Sequence, residues 1–351
     1  MPLAKTGRPL TVLTLMLGVA LGVGCKKDKA VTPQRPTARP AAQGQPGKFY
    51  RVAIIAKSAT PAFFAARTGA QDAAKALSAK LGIDIELDWL TPPREDAQAQ
   101  AQRIAQAVNE GANAVLLSSA DASTLTNAVN DAVAHGVPVM TFDSDVPQSK
   151  RFAFYGIDDF ALGSEVMAEL AKLLNGQGQI AILAGNRKAP DLQRRLAGAQ
   201  QAAEKLPGIK VVATVFQPET SQDAAAELAR ATKANPGIRG WAVLGTWPIC
   251  TKTLLADLDP NQVKVVAVNA LPPELTCVQK GLAPVLFAQP VYLWGKVGVE
   301  TIIDKIHLKR DVPTIIHMDR TRITKDNLGP WARQLKTWGF TDVAEEHLKL
   351  P

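Results

Sequence analysis

Residues Ala114–Asp145 read "AVLLSSADASTLTNAVNDAVAHGVPVMTFDSD". A short apolar run opens the stretch, a segment of helical periodicity follows and stops at Gly136, and a second apolar run closes on two aspartates separated by one serine. A buried strand tolerates no unpaired charge, so Asp143 and Asp145 must lie where the second run leaves the core. Strand, helix and strand in immediate succession is the unit of a parallel sheet, whose neighbouring strands need a crossover helix.

The same alternation extends in both directions. Upstream come the strand "RVAIIAK", the helix "FFAARTGAQDAAKALSAKL", the strand "IDIELDWL" and the helix "DAQAQAQRIAQAVNEG". Downstream, "RFAFYGI" leads into a second series: the strands "QIAILAG", "KVVATVF", "WAVLGT", "VKVVAVNA" and "PVLFAQ" alternate with helical segments that include "APDLQRRLAGAQQAAEKL", "PICTKTLLADL" and "PPELTCVQKG". A helix "YLWGKVGVETIIDKI" and a strand "TIIHMD" precede a polar, Trp-containing tail. The chain after Lys48, about 300 residues, exceeds what one core usually supports. The reading is therefore α/β, with two doubly wound parallel-sheet lobes. In such sheets ligands bind beyond the carboxyl ends of the strands, which makes the polar strand ends Lys57-Ser58, Ser118-Ser119, Asn186-Arg187, Thr246-Trp247, Asn269 and Gln289 candidates together with Asp143.

The N-terminus reads differently. Lys5 and Arg8 precede an apolar run from Leu10 to Val23, too short to span a bilayer comfortably, so residues 1–24 are expected to be a secretory signal. Cys25 stands at its end as in bacterial lipoprotein signals, although Gly22 and Val23 depart from the usual pattern there. Residues 25–48, with Pro33, Pro36, Pro40 and Pro46 and no apolar periodicity, are expected to form a disordered tether behind a lipidated Cys25. The formal charge of +8 belongs almost wholly to this end, where eight Lys or Arg face one Asp. The remainder carries no basic stripe with interleaved aromatics, which argues against a nucleic-acid surface. Cys250 and Cys277 are free to pair in an oxidising compartment or to stay as buried thiols. His135, His307, His317 and His347 lie in no metal-ligand spacing, and neither a phosphate-cradling glycine loop nor a G-x-S-x-G elbow occurs, so no metal, cofactor or enzyme activity is expected.

Six ordered pieces, "KSATPAFFAARTGAQDAAKAL", "GVPVMTFDSDVPQSKRFAFYGIDDFALG", "APDLQRRLAGAQQAA", "VKVVAVNALPPELTCVQKG", "FAQPVYLWGKVGVETI" and "RITKDN", give residues 49–328 a resemblance to the ribose-type, cluster B periplasmic binding proteins that serve ABC transporters. The resemblance implies the type I periplasmic binding fold, with a three-crossing hinge near Asp158, Gln289 and Asp319. It implies an N-terminal lobe of residues 49–157 plus 290–318 and a C-terminal lobe of 158–289 plus 319–351. The family's ligand contacts fall on Ser58, Phe63, Phe64, Ser118, Asp143, Ser144, Gln193, Thr246, Trp247, Asn269 and Gln289. Asp145 is expected just outside the cleft or in the turn at Pro147, and one of Phe63 and Phe64 in the core. Where ribose binders have arginines, Ser144 and Gln193 stand; where they have aspartate, Asn269 stands. The pocket is therefore expected to have lost charge and gained an indole, which points away from ribose and toward another monosaccharide or a polyol. The implied protein is a monomer, extracytoplasmic in the periplasm or on the cell surface, held to the membrane by a lipid anchor and partnered by an ABC permease. A sensor that presents its closed form to a chemoreceptor or histidine kinase, and a secreted carbohydrate-active enzyme, are the alternatives.

Overall fold

The computed structural model describes residues 49–218, 220–245, 247 and 258–351. The expected signal and tether of residues 1–48 with Cys25, the site residue Thr246, Cys250 and nearly all of the expected helix "PICTKTLLADL" lie outside the described residues.

The first series comprises β1 (Phe49–Ile55), α1 (Pro61–Leu81), β2 (Asp84–Trp89), α2 (Ala97–Asn109), β3 (Ala114–Leu117), α3 (Ala122–Ala134), β4 (Val139–Phe142) and β5 (Ala153–Gly156). The second comprises α4 (Asp159–Leu173), β6 (Gly178–Gly185), α5 (Pro190–Glu204), β7 (Ile209–Phe216), α6 (Ser221–Ala234), β8 (Ile238–Val243), β9 (Lys264–Val268), α7 (Pro272–Lys280) and β10 (Val285–Ala288). Then follow α8 (Val291–Ile306), β11 (Ile315–His317), β12 (Thr321–Ile323), a 3-10 turn, α9 (Leu328–Thr337) and α10 (Glu345–Leu348).

The strands sort into two sheets of order β11-β5-β4-β3-β1-β2 and β12-β10-β9-β8-β6-β7, so each half repeats one winding pattern. The first sheet is parallel throughout. In the second, only β12 runs antiparallel, at the edge beside β10. Strands β3, β4, β5 and β10 are buried at every position, as parallel strands covered by helices on both faces must be. Each fully buried Leu or Phe among them contributes about 1.5–3 kcal/mol by leaving water.

The chain passes between the sheets after Gly156, after Ala288 and after His317, because α8 and β11 return to the first sheet before β12 rejoins the second. The tail is less polar in the fold than in sequence. Leu328, Trp331, Ala332 and Leu335 form the buried face of α9, and the Trp331 indole donates to the carbonyl of Ala270 at 2.7 Å. Gly329-Pro330 read as a break in sequence, but both lie in the first turn of α9, where proline is tolerated.

One close helix contact bears on the site. Helices α4 and α5 meet at Gly163 and Gly198, where an added Cβ would stand 1.9 Å from the Arg195 carbonyl and 2.0 Å from that of Phe160. Backbone against backbone at this distance brings Asp159, one turn before Gly163, alongside Arg195.

Candidate ligand-binding cleft

A cavity of about 780 Å³ lies where the carboxyl ends of the strands of both sheets converge. From the first lobe, β1 delivers Lys57 and Ser58, β4 delivers Asp143, the first turn of α1 delivers Phe63 and the first turn of α8 delivers Trp294. From the second lobe come Asp191 and Arg195 on α5, Trp247 after β8 and Glu274 in the first turn of α7, with Gln289 at the second passage.

The strand ends turn sharply at equivalent places in the two lobes. Asp143 after β4 and Asn269 after β9 hold φ of 58° and 74°. This is the left-handed region that aspartate and asparagine enter more readily than most residues. Their backbone N–H groups still donate to neighbouring strands, to Tyr155 and Phe287, so the sheet ends only after the turn residue is anchored.

The polar centre is a buried chain of alternating charge. Lys57 Nζ donates to Asp191 Oδ1 at 2.8 Å and stands 3.8 Å from Asp143 Oδ2. Arg195 donates through Nε to Asp159 at 2.8 Å and through Nη1 to the Leu244 carbonyl at 2.9 Å, with Nη2 3.7 Å from Asp191. Lys57 and Asp191 come from opposite lobes, as do Glu95 and Asn186, whose amide donates to the carboxylate at 3.2 Å; the cleft is bridged in a closed arrangement. Burial pushes Asp191 up, but Lys57 and Arg195 outweigh it and hold this carboxyl below its usual range. Burial raises Asp143 against the pull of Lys57, and raises Asp159 to about 7 against the pull of Arg195. Taking these charges out of water is costly, and only the pairing makes it tolerable.

Aromatic rings cover the remaining faces. Phe63 and Trp294 lie 5.6 Å apart between centroids, backed by Phe142 at 6.2 and 6.0 Å. Trp247, 2% exposed, packs its ring against Gly185 and Gly245, where an added Cβ would clash with the indole. The indole Nε1 atoms of Trp247 and Trp294, Arg195 Nη2 and Glu274 Oε2 are buried without a hydrogen-bond partner among the described residues. Unpaired buried donors and acceptors are costly, so four around one cavity suit a polar solute that offers both kinds of group.

Several expected contacts reach the cavity and others do not. Ser58, Phe63, Asp143, Trp247 and Gln289 line it. Ser118 lies behind the wall and donates to Asp143 at 2.7 Å; Asn269 is fully buried and accepts from Gln289 at 3.3 Å. These two orient lining residues. Ser144 is buried in the β4 turn and does not line the cavity. Phe64 must be corrected: it is 48% exposed, because one step along α1 turns it away from Phe63. Gln193 must be corrected as well. It is exposed, donates to the Arg187 carbonyl, and sits half a turn from both Asp191 and Arg195, which face the cleft one turn apart.

The loss of charge expected from Gln193 is thereby also overturned, since Arg195, 2% exposed, supplies the guanidinium two residues later. Lys57 was among the polar strand ends the sequence offered; Asp191, Arg195, Trp294 and Glu274 are among the lining residues sequence reasoning missed. The spacing of Asp191 and Arg195 was a usable signal; the pairing of Arg195 with Asp159 was not. Asp145 leaves the cleft, as one of the two readings had it, and pairs with Arg151 at 2.5 Å, fixing the β4–β5 loop.

At the hinge, Asp158 caps α4 by accepting from Phe160 and Ala161 at 3.1 Å, and Asp319 lies in the third passage. Cys277 is disulfide-bonded and fully buried. Among the described residues no His, Cys, Asp and Glu group could hold a metal ion, and no helix is long and apolar enough to cross a membrane.

Residues 52–309 match the family described as periplasmic binding protein domain. The chain belongs to the periplasmic binding protein family. This periplasmic binding protein is 29% identical over 130 residues to the xylitol-binding protein of Mycolicibacterium smegmatis, a match covering 37% of each chain. It is 26% identical to the D-apiose import binding protein of Actinobacillus succinogenes, over 54% of this chain and 59% of that one. The chain thus spans between about a third and three-fifths of the length of these curated relatives. The fold superimposes with a TM-score of 0.73 on an ABC transporter solute-binding protein from Burkholderia graminis solved with D-arabinose, 26% identical, covering 80% of this chain and 97% of that one. A glucose-galactose binding protein from Geobacillus stearothermophilus gives 0.72 at 21% identity over 80% and 99%.

Proposed function

We propose that this periplasmic binding protein captures a monosaccharide or related polyol in the cleft and delivers it to the membrane permease of an ABC importer. The observation that carries the reading is the cavity wall itself. Asp143, Asp191 and Gln289 offer acceptors and donors for adjacent hydroxyls, while Phe63, Trp247 and Trp294 offer faces for the C–H side of a sugar. The names of the relatives, xylitol-binding and D-apiose import binding, and the D-arabinose held by the Burkholderia graminis protein support the same solute class.

Capture requires no bond to be made or broken. Contacts to both lobes favour the closed form only by the solute's differential affinity for it. The proposal includes export by residues 1–24 and anchoring through a lipidated Cys25, with residues 26–48 as a tether that lets the lobes reach a permease. A thermal-shift screen against pentoses, pentitols, hexoses and inositols tests it, since a solute at about 100 times its Kd adds ~2.7 kcal/mol. Folded protein that responds to none of them refutes the solute class.

A further inference from the structure

The second lobe closes one side of the cavity with the first turns of α6 and α7, which bring Asp223 and Glu274 to the wall beside Asp342. Among the described residues no lysine or arginine pairs with Glu274; the basic lining residues are Lys57, Arg94 and Arg195, and Lys57 and Arg195 are already engaged by Asp143, Asp159 and Asp191. Glu274 is 3% exposed. Its carboxyl lies by the backbone N–H groups of Leu271 and Glu274 at the start of α7, yet Oε2 has no hydrogen-bond partner among the described residues. A position at the start of α7 explains why a carboxyl is tolerated there and leaves Oε2 unexplained.

Resting on the cleft being the solute site, we propose that Glu274 forms a subsite for an ammonium group, so that the solute is an amine-bearing sugar or polyol. A cation beside Glu274 supplies the partner that no described residue gives it, and an ammonium presents three donors. The aromatic faces of Trp247 and Trp294 attract a cation through their ring quadrupoles, and their N–H groups are left to the solute's hydroxyl oxygens. Burial, opposed by the backbone N–H groups and reinforced by Asp342, pushes Glu274 up to about 8, and no described cation stands against it. The cavity, with room for on the order of two dozen waters at ~30 Å³ each, is larger than one sugar ring fills and accommodates a substituent toward α7.

The test is calorimetric titration of the purified protein with D-glucosamine, D-galactosamine and D-mannosamine, each beside its parent hexose and its uncharged N-acetyl derivative. At least one amine is expected to bind about tenfold or more tighter than both counterparts. Glu274→Gln is expected to bring that ratio to near one, whereas Gln193→Ala, remote from the cavity, preserves it. Hexoses that bind as tightly as their amines, or a ratio unchanged in Glu274→Gln, overturn the subsite and leave sugar capture standing. Binding by none of the compounds counts against the subsite, and the pentose, pentitol and inositol screen then decides sugar capture by itself.

Discussion

Replacing Lys57 with methionine keeps most of the apolar stem of the side chain and deletes its charge. In the closed cleft the ammonium stands 2.8 Å from Asp191 and 3.8 Å from Asp143. At an effective dielectric of about 20 these attractions are worth about 6 and about 4 kcal/mol before desolvation is subtracted. Deleting one partner of a buried pair costs about 3–5 kcal/mol, because the remaining carboxylates stay buried and uncompensated. Asp191 and Lys57 belong to different lobes, so opening the hinge hydrates both carboxylates and relieves the penalty. The cost therefore falls on closure, and through closure on affinity, by about two to three and a half powers of ten. Titration calorimetry with the solute found in the screen measures the affinity, and unfolding of the solute-free protein measures lobe stability. An affinity within about threefold of the native protein would refute the argument. So would a solute-free midpoint that drops as far as the bound one, which would make Lys57 a fold element and not a closure contact.

Asp143→Ala and Trp247→Ala should each weaken binding about tenfold or more, or about 1.4 kcal/mol, while Phe64→Ala and Gln193→Ala leave it unchanged; equal effects in the two sets would dissolve the proposed wall. Gly163→Ala forces α4 away from the Arg195 carbonyl, so the unfolding midpoint and the affinity should fall together, with about 1–3 kcal/mol lost to overpacking. Glu274 gives a pH dependence. The unfolded chain releases this proton near its ordinary value of 4.5, whereas the fold retains it to about 8, so the native state binds more protons in between and its stability declines as pH rises through that window. Glu274→Gln removes the decline, worth on the order of 4 kcal/mol, and denaturant midpoints at pH 5 and pH 8.5 for both proteins measure it.

Periodicity along the chain was enough to read two wound sheets, because buried parallel strands and amphipathic helices imprint their own repeat on any segment that forms them. It was also enough to find Asp143, Asn269 and Gln289, which sit where apolar runs stop. Residues on one helix were harder to place. Phe63 and Phe64 differ by one rotation step and Gln193 and Arg195 by two, and only the docking of α1 and α5 decides which of each pair turns inward. The tail from Thr321 hid an edge strand and a helix behind Gly329 and Pro330, since their burial comes from β10 and α7, distant in sequence. The charge chain from Asp143 through Lys57, Asp191 and Arg195 to Asp159 joins two strand ends and two helices that share no local pattern. Local sequence determined which elements form and where they end; the charge of the cleft was decided by tertiary packing, because long-range pairing selects which carboxylates and cations meet.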